Sequence, residues 1–469
     1  MEKFLKTYFK GDYVIWVIYI LLVMFSVVVQ FSAASPLIAE DNDMKEFIKH
    51  IVFLIVGFIG LIVVYSLPRK YIKYVAFGLF AFAFILQIVV VMGDNIRRIE
   101  LLGINIQPSE LIKFALIIIS AYLIDRFQNS DYLQKNFKWF CATVWGALLI
   151  ITPTNASMGI LIFVPIVLMM MIGSIPRKKI GFFVGITLLV AAILFGSAYS
   201  ITEERYEHYR DLREKRKEQI KDESNNESNK ATIVELVVIA LDKTRVHTWK
   251  ERITKFLFND SMNDGQSVKS RCAIFDGQKP AGPGNSIWRN SIEQVYSDYI
   301  FSIIVEEYGI SGALLVFFLF AWLLWRAGVL VKKCETVYSA IVIVGVVTII
   351  VFQALIHISV CAATLPATGQ PLPLIAKGGT SILVISAFFG LLLRTSREFE
   401  DVDKKKIEQE TEGQPEKDIF KNEISDEISD EISNEISNEI SEIKIEEISD
   451  EIIEIFQDDE VAKTTEIEI

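Results

Sequence analysis

The chain has 469 residues, 52% hydrophobic and 22% charged, which is too apolar for an ordinary soluble enzyme and too long for one small module. The net charge of −11 averages two unlike parts, because residues 398–469 hold 27 acidic and 7 basic side chains while residues 1–397 hold 31 acidic and 40 basic ones. The body is therefore basic and membrane-like, and its four cysteines exclude a disulfide framework or a Cys-based metal site of recognisable spacing.

In chain order, Lys3, Lys6 and Lys10 precede a first apolar run at 13–34. It is as long as a bilayer is thick and lacks a small-residue cleavage motif, so it is expected to be a retained helix and not a signal peptide. Further runs at 48–67, 72–92, 108–124, 137–152, 158–174, 179–200, 300–325, 337–363 and 381–395 predict about ten transmembrane helices, an all-α integral membrane protein. Lysines and arginines test that number. Every second gap is basic, with Arg69, Lys70, Lys73, then Arg126, Lys135, Lys138, then Arg177, Lys178, Lys179, then Arg326, Lys332, Lys333, then Arg394 and Arg397. Together with the N-terminal lysines these are 17 cations, against five in the intervening short gaps, Lys45, Lys49, Arg97, Arg98 and Lys377. The bias predicts that both termini are cytoplasmic and that the long segment 201–298, between the seventh and eighth helices, is an outer loop. Within it, the mixed-charge stretch after residue 201 reads as solvated helix or disorder, and ATIVELVVIAL at 231–241 as an interface-lying stretch too short to span. Residues 1–397 form the membrane domain. Residues 398–469, with Glu-Ile-Ser-Asp and Glu-Ile-Ser-Asn units repeating between Glu423 and Ser441, read as an acidic, disordered or weakly helical tail.

Ionisable groups at membrane depth are costly unless they are paired or line a wet cavity. Four places stand out. At the fourth helix, Gln107, Pro108, Ser109, Glu110 and Lys113 give a proline-led helix start with an anion in the first turn and a lysine three residues on, able to pair with it. The reading as a capped helix with an internal ion pair and the reading as a polar cavity wall, with Arg97 and Arg98 nearby for an anionic headgroup, are compatible. In AGPGNSIWRNSIEQVYSDYIFSIIVEEYGISG, Gly282 and Gly284 predict a turn with amides open to phosphate, and Ser286 is a candidate substrate contact. Asp298, at the first turn of the eighth helix, is either a helix cap or a boundary carboxylate that takes a proton from a hydroxyl nucleophile. Glu306 and Glu307 need partners, for which the outward cations are candidates. LPATGQPLPLIAKGGTS at 365–381, with three prolines and three glycines, must be non-helical backbone buried in protein or lining a cavity, and it carries Lys377. PTNASMG at 153–159 says only turn. Phosphate loops, dinucleotide fingerprints, zinc motifs and nucleophile elbows are absent, and His357 in its span reads as a packed residue.

QPSELIK at 107–113, GPGNSIWRN at 282–290, YSDYIFSIIVEEYGISGALL at 296–315 and LPATGQPLPLIAKGGTSIL at 365–383 resemble the signature blocks of the SEDS family, the FtsW/RodA/SpoVE group, in family order along about 390 residues. TGQPLPLIAKGGTS is more similar to the division branch than to the elongation branch. The resemblance implies a ten-helix peptidoglycan glycosyltransferase that polymerises lipid II on the outer face of the cytoplasmic (inner) membrane. The implied partners are a class B penicillin-binding protein transpeptidase and other divisome proteins, with no nucleic acid. It implies Asp298 as the essential aspartate and Glu110 and Lys113 as cavity residues. The chemistry, which needs a base for the attacking hydroxyl and cations for the leaving phosphates, makes Asp298 the candidate general base and Arg97, Arg98, Lys113 and Lys377 the candidate pyrophosphate and headgroup cations. A divalent metal ion, Mg or Mn, is left open, with no ligand set implied. The chain departs from the family at Asn155, where an acid is usual, at Ala376 in place of a serine, at His357 in place of an asparagine, and at Arg271 and Cys272. A lipid II flippase and a non-catalytic scaffold for the transpeptidase are the competing readings.

Overall fold

The computed structural model describes residues 11–34, 41–92, 99–101, 104–200, 252, 254, 265–292 and 295–412. The stretch 231–241, the repeats between Glu423 and Ser441, and Arg97 and Arg98 lie outside the described residues.

Ten long helices follow the apolar runs: α1 (Tyr13–Ala34), α2 (Asp41–Ser66), α3 (Arg69–Met92), α4 (Pro108–Arg126), α5 (Ser130–Ile151), α6 (Ala156–Ile172), α7 (Arg177–Ser200), α10 (Ile300–Lys333), α11 (Val337–Cys361) and α12 (Gly379–Glu412). Two short helices, α8 (Gly265–Asp276) and α9 (Val295–Asp298), precede α10. Among the described residues six helices are on their own long and apolar enough to cross a bilayer, with Ala156–Ile172 a shorter apolar one. The helix starts are chemically marked. Pro108 occupies the first turn of α4, Asn129 accepts the amides of Asp131 and Tyr132 at 3.0 and 3.2 Å to cap α5, and Thr336 accepts Ser339 N at 3.3 Å to cap α11. Helices α4, α6 and α11 pack on one another at the centre, with α3 against α4 and α10 against α11. The body extends to residue 401; of the second unit, 402–469, only the end of α12 is described.

The all-α expectation misses one element. Ile99–Leu101 and Ile104–Ile106 pair as an antiparallel hairpin, β1 and β2, with Ile99 opposite Ile106, leading straight into α4. The alternation around Gly103 is its only sequence trace.

At the end of the bundle that carries Arg326 and Arg394, Asp12 starts α1 by accepting Ile15 N at 3.1 Å and takes Arg326 in a fork with contacts of 2.6, 2.9 and 3.1 Å. Glu398 receives Arg394 at 3.2 Å and Arg69 at 3.7 Å. The guanidinium fork ties the first helix to the far end of α10.

Helix α10 is not the continuous span its sequence suggests. A 34-residue helix would be about 51 Å long, well beyond a hydrocarbon core of about 30 Å. It breaks at Gly309, whose φ of 67° and ψ of −158° belong to glycine. The break frees the carbonyls of Glu306 and Glu307, which accept the amides of Ala281 and Gly282 at 3.0 and 3.1 Å. The loop before α9 thus enters the helix at its break, and residues 300–308 form a separate half-helix. A Cβ on Gly309 would meet Pro280 at 2.6 Å. Gly309→Ala is expected to destabilise the protein by about 1–3 kcal/mol, seen as a lower unfolding temperature in detergent.

Candidate functional site

Of the residues singled out from the sequence, Asp298, Gln107, Glu110, Lys113, Lys377 and Ser286 fall on four segments: the turn before α10, the start of α4, the strap 365–378 between α11 and α12, and the loop 281–292 that enters the break at Gly309.

Asp298 ends α9, and the residue capping α10 is Tyr299, with no side-chain cap bond. The cap reading of Asp298 is therefore corrected, because the chain kinks between the two helices and leaves its carboxylate off the amides of α10. That carboxylate is half-buried and accepts Ser297 Oγ at 3.0 Å. Behind it, the Asp298 carbonyl meets Cys361 Sγ at 3.8 Å, and Cys361 Sγ lies 3.5 Å from His357 Nε2. His357 Nδ1 lies 2.9 Å from the Gln370 carbonyl, so that nitrogen carries the proton. His357 is wholly buried and hydrogen-bonded, the packed role expected of it.

Glu110 and Lys113 form the expected i,i+3 pair at 2.6 Å, with both side chains almost fully buried. Lys113 also donates to Gln353 Oε1 at 3.0 Å, and Gln353 Nε2 to the Pro371 carbonyl at 2.8 Å. Gln107 donates to Ser109 Oγ at 3.1 Å and caps nothing. This pair is thus wired to the strap, which is non-helical as expected.

The strap is held on both sides. Lys377 N donates to Tyr296 O at 2.9 Å, and its Nζ lies 5.6 Å over the Tyr296 ring. Gln370 Nε2 reaches Asn155 Oδ1 and Ser157 Oγ, each at 3.3 Å, and Ser157 donates to the Thr368 carbonyl at 3.2 Å. The segment PTNASMG, which in sequence says only turn, therefore braces the strap, and Asn155 also caps α6 through Met158 N at 3.3 Å. Residues that sequence reasoning passed over are the buried polar ones inside apolar runs: Ser26, Gln30, His50, Gln87, Gln353. A lone glutamine in a membrane span was their one visible signal.

The glycine turn is built for the fold. Gly282 N is spent on the Glu307 carbonyl, and Gly284 N donates to Ser32 Oγ at 2.6 Å, so the expectation of amides open to phosphate is corrected. Ser286 Oγ donates to Glu306 Oε2, while Glu306 Oε1 accepts the amides of Ile287 and Trp288 at 2.7 and 3.3 Å. Glu307 accepts Ser32 Oγ at 2.5 Å and faces Arg289 at 3.8 Å. The partner of Glu307 is therefore Arg289, from the loop 281–292. Burial pulls the Arg289 pKa down and Glu307 opposes that pull. Arg289 further donates to the carbonyls of Ser32 at 2.6 Å and Gly284 at 2.9 Å, locking α1, the loop and the half-helix together. Helix α8 adds to this, since Ser270 Oγ lies 2.5 Å from Ser302 Oγ and donates to the Cys361 carbonyl at 2.8 Å. Among the described residues no group of three or more His, Cys, Asp or Glu gathers to hold a metal ion.

A family model described as "Cell cycle protein", FtsW/RodA/SpoVE, matches residues 12–242 and 226–401. The chain is 24% identical over 425 residues to "Probable peptidoglycan glycosyltransferase FtsW" of Coxiella burnetii, covering 86% of this chain and 100% of that one. It is 26% identical over 407 residues to the protein of the same name from Enterococcus hirae, covering 82% and 92%. A chain of a solved peptidoglycan synthase complex, described as coordinating polymerization and crosslinking, is similar with a TM-score of 0.58 at 18% identity, over 83% of this chain and 98% of its own. The rod shape determining protein RodA of Thermus thermophilus is similar with a TM-score of 0.51 at 17% identity, over 84% and 98%.

Removing one partner of the buried pair leaves an uncompensated charge. Lys113→Met is expected to cost about 3–5 kcal/mol in stability, and Glu110→Gln combined with Lys113→Met to recover most of it. Unfolding of the two variants in detergent checks this, and equal losses would contradict it.

Proposed function

Because the chain belongs to the FtsW/RodA/SpoVE family of cell cycle proteins, we propose that it is a multi-pass membrane peptidoglycan glycosyltransferase that polymerises lipid II during cell division. The observation that carries this reading is the placement of Asp298, a half-exposed carboxylate that no helix terminus uses, beside the strap that brings in Lys377.

The reaction needs a base and a stabilised leaving group. In the proposed step a hydroxyl of one lipid-linked disaccharide attacks the anomeric carbon of another. Its proton passes to the Asp298 carboxylate, the new glycosidic C–O bond forms, and the old anomeric C–O bond breaks with its electron pair going to the lipid pyrophosphate. Lys377 is assigned to the leaving phosphates. Lys113, neutralised by Glu110 and wholly buried, is assigned to holding the strap. Arg97 and Arg98 keep the headgroup role on sequence grounds. No step is routed through a metal ion, for which the described residues offer no ligand cluster.

The lysine and arginine bias supports cytoplasmic termini and an Asp298 end on the outer face of the inner membrane. The relationship to a chain from a peptidoglycan synthase complex supports a class B penicillin-binding protein transpeptidase as partner, within the division machinery.

Asp298→Asn keeps the shape and removes the base. With lipid II and the partner transpeptidase present, glycan-chain formation is expected to fall by about 10²–10⁴-fold. Wild-type chain formation by Asp298→Asn would reject the base assignment. Transport of lipid II across vesicles without chain formation by the wild type would favour the flippase.

A further inference from the structure

Helix α1 carries two buried polar residues one turn apart, Ser26 and Gln30, which the reaction above does not use. Gln30 is 4% exposed. Its Nε2 donates to two backbone carbonyls from distant parts of the chain, Tyr296 O at 3.1 Å and Ile375 O at 3.0 Å. Tyr296 stands two residues before Asp298, and Ile375 two residues before Lys377. The same Tyr296 carbonyl accepts Lys377 N at 2.9 Å. One turn earlier Ser26 Oγ donates to the Ile375 carbonyl at 3.3 Å and lies 2.9 Å from His50 Nε2.

We propose that Gln30 is a positioning residue, which clamps the turn carrying Asp298 to the strap carrying Lys377 so that base and cation are held as one unit. The inference rests on the glycosyltransferase reading and adds to it a residue that touches neither substrate nor reacting atoms. The chemistry of the site requires a primary amide. Both acceptors are carbonyls, which only accept, and a primary amide nitrogen offers two hydrogens on one atom, one for each. The Tyr296 carbonyl lies in the four-residue helix α9 just before the kink, and the Ile375 carbonyl in the strap. A side chain from α1 thus reinforces the direct Lys377 N to Tyr296 O bond between the segments that carry base and cation. Displacements of about 1 Å between reacting groups can cost about a hundredfold in rate, so a clamp of this kind acts on turnover while leaving substrate affinity alone.

The test uses the full-length protein with its partner transpeptidase and lipid II, comparing wild type with Gln30→Met, which keeps the volume and loses the donor, and Gln30→Glu, which puts an acceptor-only carboxylate against two carbonyls. Turnover is expected to fall by about tenfold or more in both variants, with KM within about twofold of wild type and Gln30→Glu at least as impaired as Gln30→Met. A role in packing alone predicts Gln30→Met to behave as wild type, and that result overturns the proposal, as does a rise in KM at unchanged turnover. Hydrogen exchange needs no variant. In the wild type the Lys377 amide, held on Tyr296, is expected to exchange slowly, and fast exchange there overturns the clamp. A wild-type protein that forms no glycan in this assay counts against the glycosyltransferase reading, whereas an active wild type with an equally active Gln30→Met counts against the clamp alone.

Discussion

Inside a bilayer no water replaces a lost hydrogen-bond partner, so every polar group in the bundle must find one in the protein. The segment 365–378 tests that constraint hardest, because irregular backbone at the centre of a helical bundle exposes carbonyls and amides that no helix ladder satisfies. Side chains meet the demand one at a time: Gln353 takes Pro371 O, His357 takes Gln370 O, Ser157 takes Thr368 O, and Ser26 and Gln30 share Ile375 O. The buried Glu110–Lys113 pair anchors the series, since Lys113 fixes the Gln353 amide that reaches the strap. Such a pair adds little net stability, as desolvation of the two charges offsets their attraction. What it supplies is direction: the lysine can satisfy its protons only with Glu110 and Gln353 in place, which makes one arrangement of α4, α11 and the strap much better than its alternatives.

That logic explains which features were legible in the sequence. Hydrocarbon thickness acts on whole runs of residues, so the ten helices and the non-helical strap could be read from apolar length and from proline and glycine content, and the i,i+3 pairing of Glu110 with Lys113 from spacing alone. Partner choice acts on single atoms. Gln353 and Gln30 are isolated polar residues in apolar runs, and nothing in their neighbours says that one reaches a lysine on α4 and the other two carbonyls more than 260 residues away. Asn155 was legible as a departure from an acid, but its work in capping α6 and meeting Gln370 depends on where the strap passes.

Glu306 and Glu307 show the same limit in another form. Placed on an unbroken helix they would lie well inside the membrane and call for cations at depth. The break at Gly309 changes the problem, because the half-helix 300–308 packs with the loop and α1, which meet both carboxylates: Glu306 by Ser286 and two loop amides, Glu307 by Arg289 of the loop and Ser32 of α1. A glycine in an apolar run is too common to signal this. The sequence reading placed one span at 300–325, and only the structure shows a 34-residue helical stretch, too long for one bilayer crossing.

The break also separates two mechanical roles within one helix. Residues 310–333 end on Arg326 and its fork to Asp12, at the opposite end of the bundle from Asp298. Residues 300–308 follow the loop, α1 and the strap instead, through Arg289, Ser32 and the Tyr296 turn. Between them the break at Gly309 is held by the loop, whose Ala281 and Gly282 amides donate to the Glu306 and Glu307 carbonyls. The half-helix and the turn that carries Asp298 are bound directly by the loop 281–292, by helices α1, α8 and α11, and by the strap.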